Sequence, residues 1–340
     1  MHNTKVAGKL RKRIGRFSGN LSQGLCKVAG RFVSEMVYGI QASESVLLTE
    51  VGRTLEETIP LIKTEERLSR NLQRPELEDV LQDNVLRLAA RHVAEDTLLI
   101  LDPSDVTKKY AKKMEYLATV RDGSAHDFSL GYWTVHVIGT RLDSSQMVPL
   151  YQRLWSAQAP DFVSENEEIL RAVDAVMGHV GRRGLWVMDR GGDRINLFGP
   201  LLDRKARFLV RLVGTRNLVF NGKTLLAHQV AQGCRCPYRK SVIRIEEGKE
   251  RVYELRFGFR RVCLPDFKYY ALADGLRSLF SRNPGPPERP SQTANVEQLE
   301  LWAEGFNGSL LLLRYEFLGN VMAGNLLTFP PRDGKCGFEG

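Results

Sequence analysis

Long apolar runs are missing from this sequence. No stretch approaches the roughly 18 apolar residues of a membrane-spanning helix. The basic N-terminus also lacks the uninterrupted apolar segment and small-residue cleavage site of a secretory signal. A cytoplasmic, nucleoid-associated protein with no membrane partner is the expectation. Cysteine is sparse too: Cys26, Cys234, Cys236, Cys263 and Cys336 are odd in number and scattered, which argues against a secreted disulfide framework. Cys234-Arg235-Cys236 is too tightly spaced, and has no second pair, for a structural zinc site; ordinary reduced thiols are expected. Acid is missing from two regions. Residues 1–34 hold Lys5, Lys9, Arg11, Lys12, Arg13, Arg16, Lys27 and Arg31 but no Asp or Glu. Residues 204–261 hold fifteen Lys and Arg against four Glu and no Asp, a net of +11 that exceeds the +9 of the whole chain. Charge this one-sided favours a polyanionic partner, double-stranded DNA above all.

What the sequence does have is two strand-length apolar runs that each end in aspartate: Leu98-Leu99-Ile100-Leu101-Asp102 and Leu185-Trp186-Val187-Met188-Asp189. A strand tip is a rigid place to hold a carboxylate, and two neighbouring tips aim two carboxylates at one point. Hard divalent cations need such oxygen ligands, and paired ions clamp the attacking and leaving oxygens of a phosphodiester displacement. The plainer alternative is an Asp capping the next turn or helix; the Pro103-Ser104 that follows Asp102 suits such a turn. In a strongly basic chain the pair favours the catalytic reading.

Around these runs the chain is organised in blocks. The basic first 34 residues read either as a phosphate-neutralising arm or as a solubilising tail. Helical spacing runs from Gly39 to about Leu72, broken by Gly52 and Pro60, and a further amphipathic helix follows Pro75. Then come a strand over Thr97–Asp102, two apolar runs (Gly131–Thr140 and Met147–Trp155) split by a hairpin signal, and a helix capped by Ser164. Leu185–Asp189 is the next strand, followed by a helix near Ile195–Leu202 and a strand at Phe208–Val213. The Asn221-Gly222 turn and the runs on either side of Glu247-Gly248 predict antiparallel strands that present one basic face. Beyond Tyr270 the patterning weakens and becomes proline-rich, and no useful helix is specified. Asp105 and Asp193 read as solvated or capping residues. Lys108, Lys109, Lys112 and Lys113 read as phosphate contacts or a solvated helix face, and Trp133 and Trp155 as core. His126, His136, His179 and His228 show no metal spacing.

Several segments in order resemble the DDE transposases of bacterial insertion sequences, in particular the IS-four superfamily. They are Leu101-Asp102-Pro103-Ser104 with the following run to Glu115, Gly131-Tyr132-Trp133, Leu154-Trp155-Ser156, and Val187-Met188-Asp189-Arg190-Gly191-Gly192-Asp193-Arg194, spanning roughly residues 90–260. The resemblance implies an α/β, RNase H-like mixed sheet with flanking helices, a β-stranded insertion domain and an N-terminal helical region. It divides the chain into a basic arm and helical DNA-binding region (1–90), a catalytic core (91–215), a basic insertion (216–268) and a poorly patterned C-terminal part (269–340), read as a truncated or frameshifted end. It implies Asp102 and Asp189 as catalytic and metal-binding residues, Mg²⁺ or Mn²⁺ as cofactor, DNA ends and target as partners, and a homodimer on DNA. The family's third carboxylate lies in a Y-x-x-R-x-x-x-E motif, and no Arg in the second half has Glu four residues later; Glu304 and Glu316 only faintly resemble that neighbourhood. Three activities stay open: a transposase, a defective relative that binds terminal repeats, or a stand-alone nuclease of the same fold.

Overall fold

The computed structural model describes residues 2–108, 110–122, 127–142, 144–246, 249–265, 296–304 and 309–320. The chain divides into two compact units, residues 1–92 with 149–152, and residues 93–148 with 153–340.

The first unit is helical: α1 (His2–Leu21), α2 (Lys27–Ser43), α3 (Leu48–Thr54), α4 (Leu61–Leu72) and α5 (Glu76–Ala89). The region read as an arm or tail is therefore helix. Ile14, Ser18 and Leu21 form its buried stripe, while Lys9, Arg11, Lys12, Arg13 and Arg16 are exposed. Leu21, Phe32, Val33, Val51, Leu68 and Leu77 make the core. Gly52 does not break the helical run as expected. It lies buried inside α3, where an added Cβ would come within 3.0 Å of Leu61 Cδ1, so the glycine lets α4 approach. The break falls at Leu55–Pro60 instead, with Pro60 capping α4. Ion pairs tie the helices together. Glu57 accepts from Thr64 Oγ1 (2.8 Å) and Arg67 Nη2 (2.9 Å), and these two bonds hold its carboxyl below the ordinary value.

The second unit is built on one large mixed sheet. Its strands in chain order are β1 (Leu98–Thr107), β2 (Ala118–Asp122), β3 (Asp127–Thr140), β4 (Met147–Trp155), β5 (Leu185–Met188) and β6 (Phe208–Arg211), with α6 (Glu165–Val180) before β5 and α7 (Ile195–Asp203) before β6. Strand β3 pairs antiparallel with β1 and also pairs with β4; β1, β5 and β6 run parallel to one another. The order β4-β3-β1-β5-β6 is that of an RNase H-like sheet, with β2 added beside β3. As expected, Ser164 Oγ caps α6 by accepting from Glu167 N (3.2 Å). The buried face of the sheet is Leu99, Leu101, Val135, Val137, Trp186, Met188, Phe208 and Val210.

Beyond β6 lie β7 (Asn217–Phe220), β8 (Lys223–Leu226), α8 (Ala227–Gln232), β9 (Tyr238–Glu246), β10 (Lys249–Val262), β11 (Val296–Glu304) and β12 (Ser309–Asn320). The turn joining β7 to β8 has φ +50° at Asn221 and +74° at Gly222, the two positive values a two-residue hairpin turn requires. Strand β11 pairs with β6, so β11, β12, β10 and β9 continue the core sheet. The basic face expected of β9 and β10 falls largely on side chains outside those described. Arg239 stands opposite Arg256 and Arg244 opposite Arg251, and five residues separate Arg239 from Arg244.

Gly131 is a tight point of the site-bearing sheet, beside β1. It is paired with Thr107 of β1 on one edge and Ala118 of β2 on the other. A Cβ there would come within 2.3 Å of the Val106 carbonyl oxygen and 2.9 Å of Val120. Gly131→Ala is expected to destabilise the protein by about 1–3 kcal/mol through overpacking, read as a lower midpoint in thermal or urea unfolding. An unchanged midpoint means the strands move apart without cost.

Candidate active site

Strand β1 runs on past Asp102 to Thr107, paired with β3 throughout (Asp102 opposite His136, Thr107 opposite Gly131). Asp102 is thus mid-strand toward β3, which corrects the expectation of a simple strand tip followed by a turn. Toward β5 the pairing ends at Ile100, so on that side Asp102 stands at an edge. This explains how Pro103 fits inside a strand. Lys108 N donates to Leu130 O while Leu185 N donates to Thr97 O; the alternation turns even-numbered β1 amides toward β3 and odd-numbered backbone groups toward β5. The missing N–H of Pro103 therefore falls on the open edge, where a sheet tolerates proline.

The parallel register fixes the two aspartates. Leu98, Leu99 and Ile100 stand opposite Leu185, Trp186 and Val187. Two residues further along both strands, Asp102 and Asp189 come level on the same face. Both are open to solvent. Partial burial of the Asp102 carboxyl, then the charge of Asp189 beside it, raise its pKa above the ordinary value. Asp189 also caps the short turn Arg190–Gly192, its Oδ1 accepting from Gly191 N at 2.7 Å. The capping and convergent roles coexist.

Two neighbouring carboxylates suit a hard divalent ion, and Mg²⁺ is commonly held by one or two carboxylates with water completing its shell. Among the described residues no group of three or more His, Cys, Asp or Glu gathers into a metal site. His136 lies across from Asp102, but burial keeps its pKa low and Nε2 is engaged with Thr134 Oγ1 at 3.2 Å. The weak third candidates do not reach the aspartates' row. Ala303 is opposite Phe208, which sets Glu304 at the far end of the sheet. Glu316 is opposite Glu297 and Arg256, on β12. The acid in the row is Glu300, opposite Arg211.

Other expectations sort clearly. Asp193 is neither solvated nor capping: it is buried, accepting from Arg216 Nε (2.7 Å) and Val213 N (2.7 Å). Asp105 is half-buried opposite Trp133. The segment after β1 is turn and bend, so Lys108, Lys112 and Lys113 are exposed without a helix; Lys109 and His126 lie outside the described residues. Trp155 is core, stacked on Trp133 (5.9 Å) and Phe162 (5.1 Å). Among the described residues Cys26, Cys234, Cys236 and Cys263 form no disulfide; Cys336 lies outside the described residues. Sequence reading passed over Arg211, the last residue of β6. It follows Met188↔Val210 in the parallel register and so stands level with Asp189. The alternation of the Phe208–Arg211 run was its only signal. Among the described residues no helix is long and apolar enough to cross a membrane.

No protein-family model and no curated protein matches the chain. Seven chains of solved structures match, among them the cryo-EM structure of a piggyBac transposase synaptic complex with hairpin DNA, at 10% identity and a TM-score of 0.35. That match covers 84% of this chain and 51% of the other, so this chain spans about half the neighbour's length. A likeness this distant assigns neither family nor activity.

The raised pKa of Asp102 has a consequence for stability. An acid whose folded pKa exceeds its unfolded one binds more protons in the folded state, so stability falls as pH rises from the ordinary carboxylate range through the raised value. In metal-free buffer Asp102→Asn is expected to melt above the wild type at neutral pH and level with it below the carboxylate range. A pH-independent difference in melting temperature rejects the carboxylate repulsion.

Proposed function

We propose that this protein is a metal-dependent DNA-processing enzyme of the DDE transposase class, acting on phosphodiester bonds at DNA ends. The observation that supports this best is the parallel register that brings Asp102 and Asp189 level on one open face of an RNase H-like sheet. The two carboxylates would hold Mg²⁺ or Mn²⁺ from the β1 and β5 sides. Held there, a divalent ion would supply charge stabilisation to the attacking and leaving oxygens. The ladder beneath the aspartates supplies positioning, and the Gly191 amide orients Asp189. The exposed basic side chains of α1 would hold duplex phosphates.

One observation favours a weaker second reading, a protein that binds DNA and cuts it poorly. Asp102 and Asp189 have no third carboxylate beside them among the described residues, which leaves a second ion without ligands and the leaving oxygen partly unstabilised.

Mn²⁺ titration followed by electron paramagnetic resonance tests the site. Asp102→Asn and Asp189→Asn should each weaken binding while circular dichroism stays that of the wild type; titrations unchanged in both reject a shared metal centre. On supercoiled plasmid with Mn²⁺, the wild type should nick slowly and either variant not at all. Fast cleavage lost on Glu300→Gln would identify a complete carboxylate set.

The basic helix gives a separate expectation. Each neutralised phosphate contributes about −0.9 to the log–log salt slope of duplex binding. Replacing Lys9, Lys12, Arg13 and Arg16 together by Gln should therefore flatten the slope by about 3–4, measured by fluorescence anisotropy on a labelled duplex. An unchanged slope puts those charges away from the DNA.

A further inference from the structure

We propose that Arg211 is a phosphate-binding residue of the same site, its guanidinium receiving a phosphodiester group beside the aspartates. The inference rests on the metal-site reading above and adds a substrate contact to it.

Register places Arg211 in the aspartates' row. One row crosses three adjacent parallel strands: Asp102 within β1, Asp189 just past the end of β5 and Arg211 at the end of β6. Side chains alternate along β6, with Phe208 and Val210 buried and Leu209 and Arg211 half-buried. Arg211 therefore belongs to the open face, with Ile100, Asp102, Val187 and Leu209. Neighbouring strands lie about 4.8 Å apart, so a group seated at the aspartates falls within reach of a side chain as long as arginine.

Six other arginines of the second unit are committed to acids. Arg153 and Arg171 pair with Glu168, Arg194 with Glu165, Arg204 with Asp174, Arg207 with Glu95 and Arg216 with Asp193. Arg211 makes no ion pair and no side-chain hydrogen bond among the described residues. A half-buried guanidinium left unpaired loses part of its hydration without compensation, and its fork of donors fits the oxygens of a phosphate in two-point fashion. A purely structural arginine at this strand end would be expected to close on Asp189 or on an acid of the neighbouring strand, where Glu300 is the residue opposite. Among the described residues Arg211 and Asp189 form no ion pair within 4.0 Å.

The test measures a ternary complex rather than turnover. Mn²⁺ held by the full-length protein relaxes the ³¹P signal of a phosphodiester bound nearby, and the dinucleotide thymidylyl-thymidine serves as the probe. Losing one charge-assisted contact should weaken the probe's affinity about tenfold in Arg211→Ala. Arg211→Lys should recover part of it, and Mn²⁺ affinity should not fall in either variant. Paramagnetic relaxation equal to the wild type in both variants overturns the proposal, as does a loss in Arg211→Ala accompanied by weakened Mn²⁺ binding, which marks a structural role. Absence of any protein-bound Mn²⁺ in the wild type would instead overturn the metal reading itself, a result visible before the probe is added. Should Arg211→Ala fail to fold, the lysine and a glutamine variant carry the test, the glutamine behaving as the alanine is expected to.

Discussion

A three-residue parallel ladder, Leu98–Ile100 against Leu185–Val187, carries the candidate site. Everything chemical in the second unit lies two residues beyond its end. What locks the ladder is the layer beneath it: Leu99, Leu101, Trp186, Met188, Phe208 and Val210 are almost wholly buried, each worth about 1.5–3 kcal/mol relative to exposure. A slip of one residue in a strand exchanges its two faces. Here that slip would drive Asp102 or Asp189 into the hydrocarbon layer and lift Leu101 or Met188 into water. Gly184, at φ +88°, tightens the fit further, because an added Cβ would come within 2.7 Å of Leu99. The hydrophobic core thus specifies where two carboxylates stand without touching either of them.

That placement opposes stability. Elsewhere the chain neutralises its partly or fully buried acids: Glu168 lies between Arg153 and Arg171, and Asp193 takes Arg216 and a backbone amide. At Asp102 the nearby charge is another carboxylate, and its pKa rises. Local conflicts of this kind concentrate at functional sites. The contrast with Asp193, four residues from Asp189, is informative because both lie in one Asp-Arg-Gly-Gly-Asp run. The same residue type is spent on anchoring in one case and left open to solvent in the other.

How much of this was readable in sequence depends on the kind of signal. Apolar runs with a helix between them predicted the β1, β3, β4, α6, β5, α7, β6 order, and the Ser164 cap and Asn221-Gly222 turn came from local chemistry that acts within a few residues. The neighbouring of β1 and β5 was implied by the RNase H-like layout, whereas the level of the two aspartates needed the register. Three other features were not readable. The extension of β1 through Pro103 depends on where β5 stops, a tertiary fact. Arg211 needed the strand register before it acquired a neighbour. Strands β11 and β12 fall where the sequence is weakly patterned, and edge-to-edge addition to a sheet asks little of side-chain periodicity because backbone groups make the bonds. Gly52 misled for the same reason: a glycine reads as a helix break until a packed neighbour explains it.

Charge placement closes the physical account. The helices of the first unit are cross-tied by Arg31 and Arg67 to Glu35 and Glu57, whereas Lys9, Arg11, Lys12, Arg13 and Arg16 on α1 have no acid in their own helix. Lys9, Lys12, Arg13 and Arg16 repeat at three- and four-residue intervals, so they share one side of α1 while Ile14, Ser18 and Leu21 share the buried side. Like charges at these intervals destabilise an isolated helix by a few tenths of a kcal/mol each. Burial of the opposite stripe outweighs that cost, so the fold tolerates the charged side without being built on it. A stripe that folding merely tolerates is free to change in charge without loss of structure, which is why its use is settled by what it meets in solution.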